Sequence, residues 1–107
     1  MLAGKTPAYK KSKYLNYYLE SKMKDKTGVY YYPYADNKHV RMYVRQAGDT
    51  IEFRLWKSTE PDLWESHGWV PYEAIQEAIK MYDPQKGGSF DPSYVYDLSL
   101  AKNVLGS

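Results

Sequence analysis

From His39 to Lys57 (HVRMYVRQAGDTIEFRLWK) apolar and polar residues alternate in two runs. Val40, Met42 and Val44 alternate with His39, Arg41, Tyr43 and Arg45; Ile51, Phe53 and Leu55 alternate with Glu52, Arg54 and Trp56. A period of two predicts a pair of half-buried strands. With Gly48-Asp49 as a two-residue loop, Ala47 pairs with Thr50 and the register follows. Val44 then faces Phe53 and Met42 faces Leu55 on the apolar side. On the other side Arg45 faces Glu52, Tyr43 faces Arg54 and Arg41 faces Trp56. A slip of one residue would spoil both faces at once.

The pattern on either side supplies what covers the apolar face. Residues 1–8 read as a flexible lead. From about Tyr9 to Lys24 the spacing turns helical, with Leu15, Tyr18, Leu19 and Met23 on one face and lysines around them. VYYYPY (29–34) is β-prone, and Pro33 restricts it to an edge strand or a broken one. Residues 58–67 (STEPDLWESH) read as a polar loop that dips once into the core at Leu63 and Trp64. Gly68-Trp69-Val70 is a candidate fourth strand. Pro71 opens a predicted helix over 71–82, whose Ala74, Ile75, Ala78, Ile79 and Tyr82 suit it to cover the hairpin. A last helix is predicted over 92–105, with Asp91 as N-cap, Pro92 in its first turn and Gly106 beyond its end. The expected architecture is α+β, a single domain over 1–107: a three- or four-stranded antiparallel meander within 29–70, helices on one face, the other face open.

Composition then narrows the chemistry. In a chain of 107 residues there is no cysteine, which removes disulfides, thiol catalysis and thiolate metal sites. No apolar run is long enough to span a membrane, and MLAGKTPAYKKSK holds no apolar signal core, so a soluble intracellular protein, cytoplasmic or nucleoid-associated, is expected. The two histidines, His39 and His67, lie far apart in sequence. Glu65-Ser66-His67 holds polar groups of the kind used in catalysis, but a triad is defined by spatial geometry rather than adjacency, and a loop histidine is the commoner case. Gly87-Gly88-Ser89 lies between helices, which is turn chemistry rather than a phosphate loop. No enzyme activity, metal or small-molecule cofactor is expected.

Charge and aromatic content point elsewhere. Residues 1–28 carry seven lysines against Glu20 and Asp25, whereas residues 58–107 carry three lysines against eight acids. A basic first half favours an anionic partner, unless the halves pair with each other. All three arginines fall on the polar face of the hairpin, and thirteen tyrosines and three tryptophans supply flat rings with polar edges. Single strands are bound by basic grooves with aromatic platforms for the bases. The candidate contacts are Arg41, Arg45, Arg54 and Lys57 for phosphates and Tyr43 and Trp56 for stacking. Tyr30 and Tyr32 join them from the first strand, and Lys38 and His39 from the start of the second. Arginine–aromatic pairs also stabilise exposed sheets that bind nothing, and Glu52 stands in the middle of this plate.

The run VRQAGDTIEFRLW, an irregular polar loop, and GWVPYEAIQEAI together resemble the core of the positive-cofactor-four type of single-stranded DNA-binding proteins, over roughly residues 38–82. The resemblance implies a dimer formed through helices and a sheet that binds single strands or melted duplex. By position it puts Arg41, Tyr43, Arg45, Arg54 and Trp56 on the nucleic-acid side. Val70 stands where that pattern has a polar helix cap, and the N- and C-terminal helices are additional. The expected function is therefore a non-enzymatic module for single-stranded nucleic acid, DNA favoured over RNA, acting as a homodimer without contact with membranes. The alternative is an assembly module that dimerises through its C-terminal helices; a carbohydrate binder and a small enzyme around Glu65 and His67 rank below it.

Overall fold

The computed structural model describes residues 23–86 and 90–106. Four strands follow one another in a single antiparallel sheet: β1 (Val29–Tyr31), β2 (Val40–Ala47), β3 (Thr50–Lys57) and β4 (Val70–Pro71). Among the described residues four helices accompany it: α1 (Pro61–His67), α2 (Tyr72–Met81), α3 (Pro92–Val95) and α4 (Leu98–Gly106). The α+β class and the meander are as expected.

The central hairpin has the predicted register: Val44 opposes Phe53, Met42 opposes Leu55, and Ala47 opposes Thr50 across the Gly48-Asp49 loop. Gly48 takes φ +62°, which costs glycine nothing and most other residues dearly. The Gln46 amide donates to the Gly48 and Thr50 carbonyls at 2.9 and 3.2 Å and braces the turn from outside. β1 joins the other edge of β2, with Val29 opposite Val44 and Tyr31 opposite Met42.

The core lies on the Met42 and Phe53 side. Tyr31, Met42, Val44, Ile51 and Phe53 from the sheet meet Ile75, Val95 and Ala101 from the helices. Phe53 is fully buried and packs edge-on against Tyr96 at 5.6 Å; truncating such a ring to alanine costs about 3–5 kcal/mol. The cover is shared rather than supplied by the helix after Pro71 alone. α2 lies over β3 with Ile75 pointing in, and α4 lies over β1 and β2.

Three elements differ from expectation. Residues 61–67 form a helix, not a loop: Pro61 sits in the first turn, where its missing N–H is no loss, Asp62 follows it, and Gly68 at φ +64° ends it. The predicted 92–105 helix is two helices. The Tyr31 hydroxyl donates to the Val95 carbonyl at 2.7 Å and accepts from the Asp97 N–H at 2.8 Å, and the chain turns at that point. Asp91 caps the first piece through the Ser93 N–H, and the Asp97 carboxylate accepts from the Leu100 N–H at the start of the second. Pro71 closes β4 and caps α2 rather than lying inside it. The lead over 1–8 and most of the predicted 9–24 helix lie outside the described residues. Its last two positions, Met23 and Lys24, instead turn back along β1, Lys24 bridging to Val29.

Candidate nucleic-acid interface

Alternation on β2 and β3 brings Arg41, Tyr43, Arg45, Glu52, Arg54 and Trp56 to one face, as the register requires. That face is not an open plate. The 25–28 turn overlies one end of it, and α1 lays Trp64 across its middle.

The turn is built by Asp25, whose carboxylate accepts the Thr27 and Gly28 N–H groups at 2.8 and 3.2 Å. Its other oxygen accepts the Tyr43 hydroxyl at 2.6 Å and Arg41 Nη1 at 2.9 Å. Burial by itself would raise the Asp25 pKa; the hydrogen bonds from Tyr43, Thr27 and Gly28 and the charge of Arg41 outweigh it and hold the carboxyl below its ordinary range. The same cluster pushes Tyr43 up, through burial first and its bond to Asp25 second. Tyr30, beside it, is raised to about 12 by burial and by its neighbour Tyr32.

The arginines are stacked between rings. Arg41 lies 4.8 Å from the Tyr30 ring and 4.9 Å from the Trp56 ring. Its Nε is buried without a hydrogen-bond acceptor, a cost that the two ring contacts offset. Arg54 lies 4.0 Å from Trp64 and 5.9 Å from Trp69 and donates through Nε and Nη2 to the Trp64 carbonyl at 3.0 and 2.6 Å. Arg45 lies 4.3 Å from Trp69 and pairs with Glu52 at 2.6 Å, so the acid at the centre of the face is neutralised where it stands. The result is a continuous succession of cations and rings, joined by Tyr43 against Trp64 at 5.3 Å and Trp64 against Trp69 at 6.1 Å.

This arrangement changes what each predicted residue can do. Tyr43 and Tyr30, expected as stacking platforms, are only 4% and 5% exposed and serve as the floor. Arg54 commits Nε and Nη2 to the Trp64 carbonyl and so also ties the sheet to α1. Lys38 lies over the Tyr32 ring at 5.2 Å, His39 meets Ser58 at 3.3 Å, and Lys57 pairs with Glu60 at 3.5 Å; all three stand at the open end of the hairpin, and Lys57, opposite Val40, lies on the core side beside Leu55 rather than on the predicted face. Arg45 remains half exposed. Trp56 stays accessible in a groove of about 430 Å3. Arg41 and Tyr43 form its floor, Asp25, Lys26 and Thr27 one bank, and Pro61 and Trp64 the other.

Asp25, Lys26, Trp64 and Trp69 were missed as site residues. Trp64 was expected to dip into the core with Leu63, whereas α1 lays it against Tyr43 and Arg54 on the opposite face; Trp69 had been assigned only to a candidate strand. Asp25 carried one signal, an Asx-type turn ending at Gly28. Among the described residues no three His, Asp or Glu side chains converge to hold a metal, and no helix is long and apolar enough to cross a membrane. No protein-family model matches this chain, and no curated protein or solved structure matches it significantly.

Proposed function

We propose that this protein is a non-enzymatic binder of single-stranded nucleic acid, DNA favoured, which it takes across the groove between the 25–28 turn and α1. The observation that carries this reading is the groove itself: two indoles, Trp56 and Trp64, flank a floor that holds the Arg41 guanidinium. An unpaired base stacks on any ring face, whatever its sequence, and a duplex keeps its bases out of reach. Lys26, Arg41 and, further along the face, Arg45 supply positive charge along the path of the backbone. The acid in the groove does not oppose this, because four donors already occupy Asp25.

Fluorescence-anisotropy titration of single- and double-stranded DNA and RNA at two salt concentrations tests the reading. Single strands should bind more tightly than duplex, and affinity should fall as salt rises. No binding of any oligonucleotide at low salt ends it. The assembly reading draws on the apolar residues exposed on the helical side, Met81, Tyr94 and Leu100. Removing the C-terminal helices would not test it cleanly, because Val95 and Ala101 belong to the core.

A further inference from the structure

On its core side the sheet is not covered to its end. β4 pairs with β3 only at Glu52 and Phe53, and α2 begins directly after it. Beyond Phe53, alternation keeps Leu55 and Lys57 on the same side, with Lys57 opposite Val40. Burial fades along that row, from Phe53, fully buried, to Leu55 and Lys57, half-buried. α1 packs on β3 here and straddles its edge, with Trp64 over the polar face and Leu63 and His67 toward the core side. The gap that remains is a pocket of about 290 Å3 between α1, β3 and the Phe90–Tyr96 stretch.

The bottom and the mouth of this pocket differ in chemistry. Leu55, Leu63 and Val70 line it with Phe53 at its buried end. Phe90 and Tyr96 form a further wall, edge to face at 6.3 Å, and Tyr96 meets Phe53 in the same way at 5.6 Å. Glu60 and His67 stand exposed at the mouth beside Lys57. Lys57 takes the place where the row of Ile51, Phe53 and Leu55 calls for another apolar residue. Its Nζ lies 3.5 Å from Glu60 Oε2, and the Glu60 side chain is 56% exposed.

We propose that this pocket binds a free aromatic amino acid, its ring among Phe53, Phe90 and Tyr96 and its charged head on Lys57 and Glu60. The mouth presents one cation and one anion side by side, and a zwitterion answers both. Its carboxylate accepts from the Lys57 ammonium, and its own ammonium donates to the Glu60 carboxylate. An exposed ion pair at this separation contributes little, so parting it to admit the head group costs little. Rings already packed edge to face accept a further ring in the same manner. Ligand sites span about 300–1,000 Å3, and this pocket falls at the small end, as a single amino acid requires. The end of a peptide carries only one of the two charges beside its side chain, which favours the free amino acid. The pocket shares no lining residue with the groove between the 25–28 turn and α1, so it stands whether or not that groove binds a strand.

Amide proton–nitrogen NMR spectra of the intact chain, titrated with L-phenylalanine, test the site. The Leu63, Gly68 and Val70 amides should shift. N-acetyl-L-phenylalanine lacks the ammonium and L-phenylalaninamide lacks the carboxylate, as the two ends of a peptide do. Each should bind at least about tenfold more weakly, the loss of one charge-assisted contact. Lys57→Met keeps the apolar stem and should lower phenylalanine affinity to that of the amide for the parent chain. Glu60→Gln should lower it to that of the N-acetyl derivative. Absence of shifts at those three amides with millimolar phenylalanine overturns the proposal. So do equal affinities for phenylalanine and either derivative, and so does parent affinity in either variant.

Discussion

Tyr31 and Asp97 stand 66 positions apart and are joined at 2.8 Å by the Asp97 N–H donating to the tyrosine hydroxyl. The same hydroxyl donates to the Val95 carbonyl, so one buried side chain on an edge strand both breaks a helix and fastens the break to the sheet. Tyr31→Phe leaves the Asp97 N–H and the Val95 carbonyl without that partner. Stability should fall by about 1–3 kcal/mol, read as an earlier urea midpoint with an unchanged slope.

Trp56 is the accessible ring of the groove and contributes nothing to the core cluster. Trp56→Ala should weaken binding of an oligo-dT single strand by about 1–3 kcal/mol, more than the roughly 0.5–1 kcal/mol of stability lost with its contact to Arg41. Unchanged affinity in this variant would remove stacking from the proposed mode.

Arg54 behaves differently from Arg45 although both were expected to meet phosphates. Arg54→Ala removes two hydrogen bonds to the Trp64 carbonyl and a ring contact, so it should cost about 1–3 kcal/mol of stability. Arg45→Ala should leave the fold nearly intact and flatten the salt dependence of binding by roughly one charge. Denaturation curves and a salt series on both variants separate the two roles.

Acid should loosen the groove through Asp25. Its carboxyl titrates lower in the folded protein than its ordinary 3.8, so the stability it contributes is complete above that value. The contribution is lost as pH falls through the lowered folded pKa. Asp25→Asn should thus be less stable than the parent at pH 6–7, with the difference closing below about pH 4.

Gly48→Ala places a Cβ at φ +62° in the two-residue loop, where the space is open but the backbone is strained. A loss of about 1 kcal/mol is expected, since a side chain at positive φ destabilises the folded state. Thermal unfolding of this single variant measures it.

The hairpin could be read from sequence because period-two alternation on both strands and a Gly-Asp loop admit only one register. The helix over 61–67 could not, because its seven residues show no repeating stripe and Pro61 reads as a breaker until its place in the first turn is known. The break in the last helix was hidden for another reason. Its cause is Tyr31, far away in sequence, and a continuous stripe of Tyr94, Leu98, Ala101 and Leu105 argues for one helix until that contact is seen. The site divides along the same line. Strand alternation assigned Arg41, Arg45, Arg54 and Trp56 to one face, but not what would be laid over them. Asp25 and Trp64, which decide how much of that face stays accessible, come from outside the hairpin.

The alternation of guanidinium groups and rings has a consequence for the manner of encounter. Arginine and tryptophan side chains that are already stacked have surrendered their rotamer freedom when the chain folded. Under the proposed function, an incoming strand would find its contacts set out in advance and would not bear the cost of immobilising them. Differences among strands should then show in how long each complex lasts rather than in how quickly it forms.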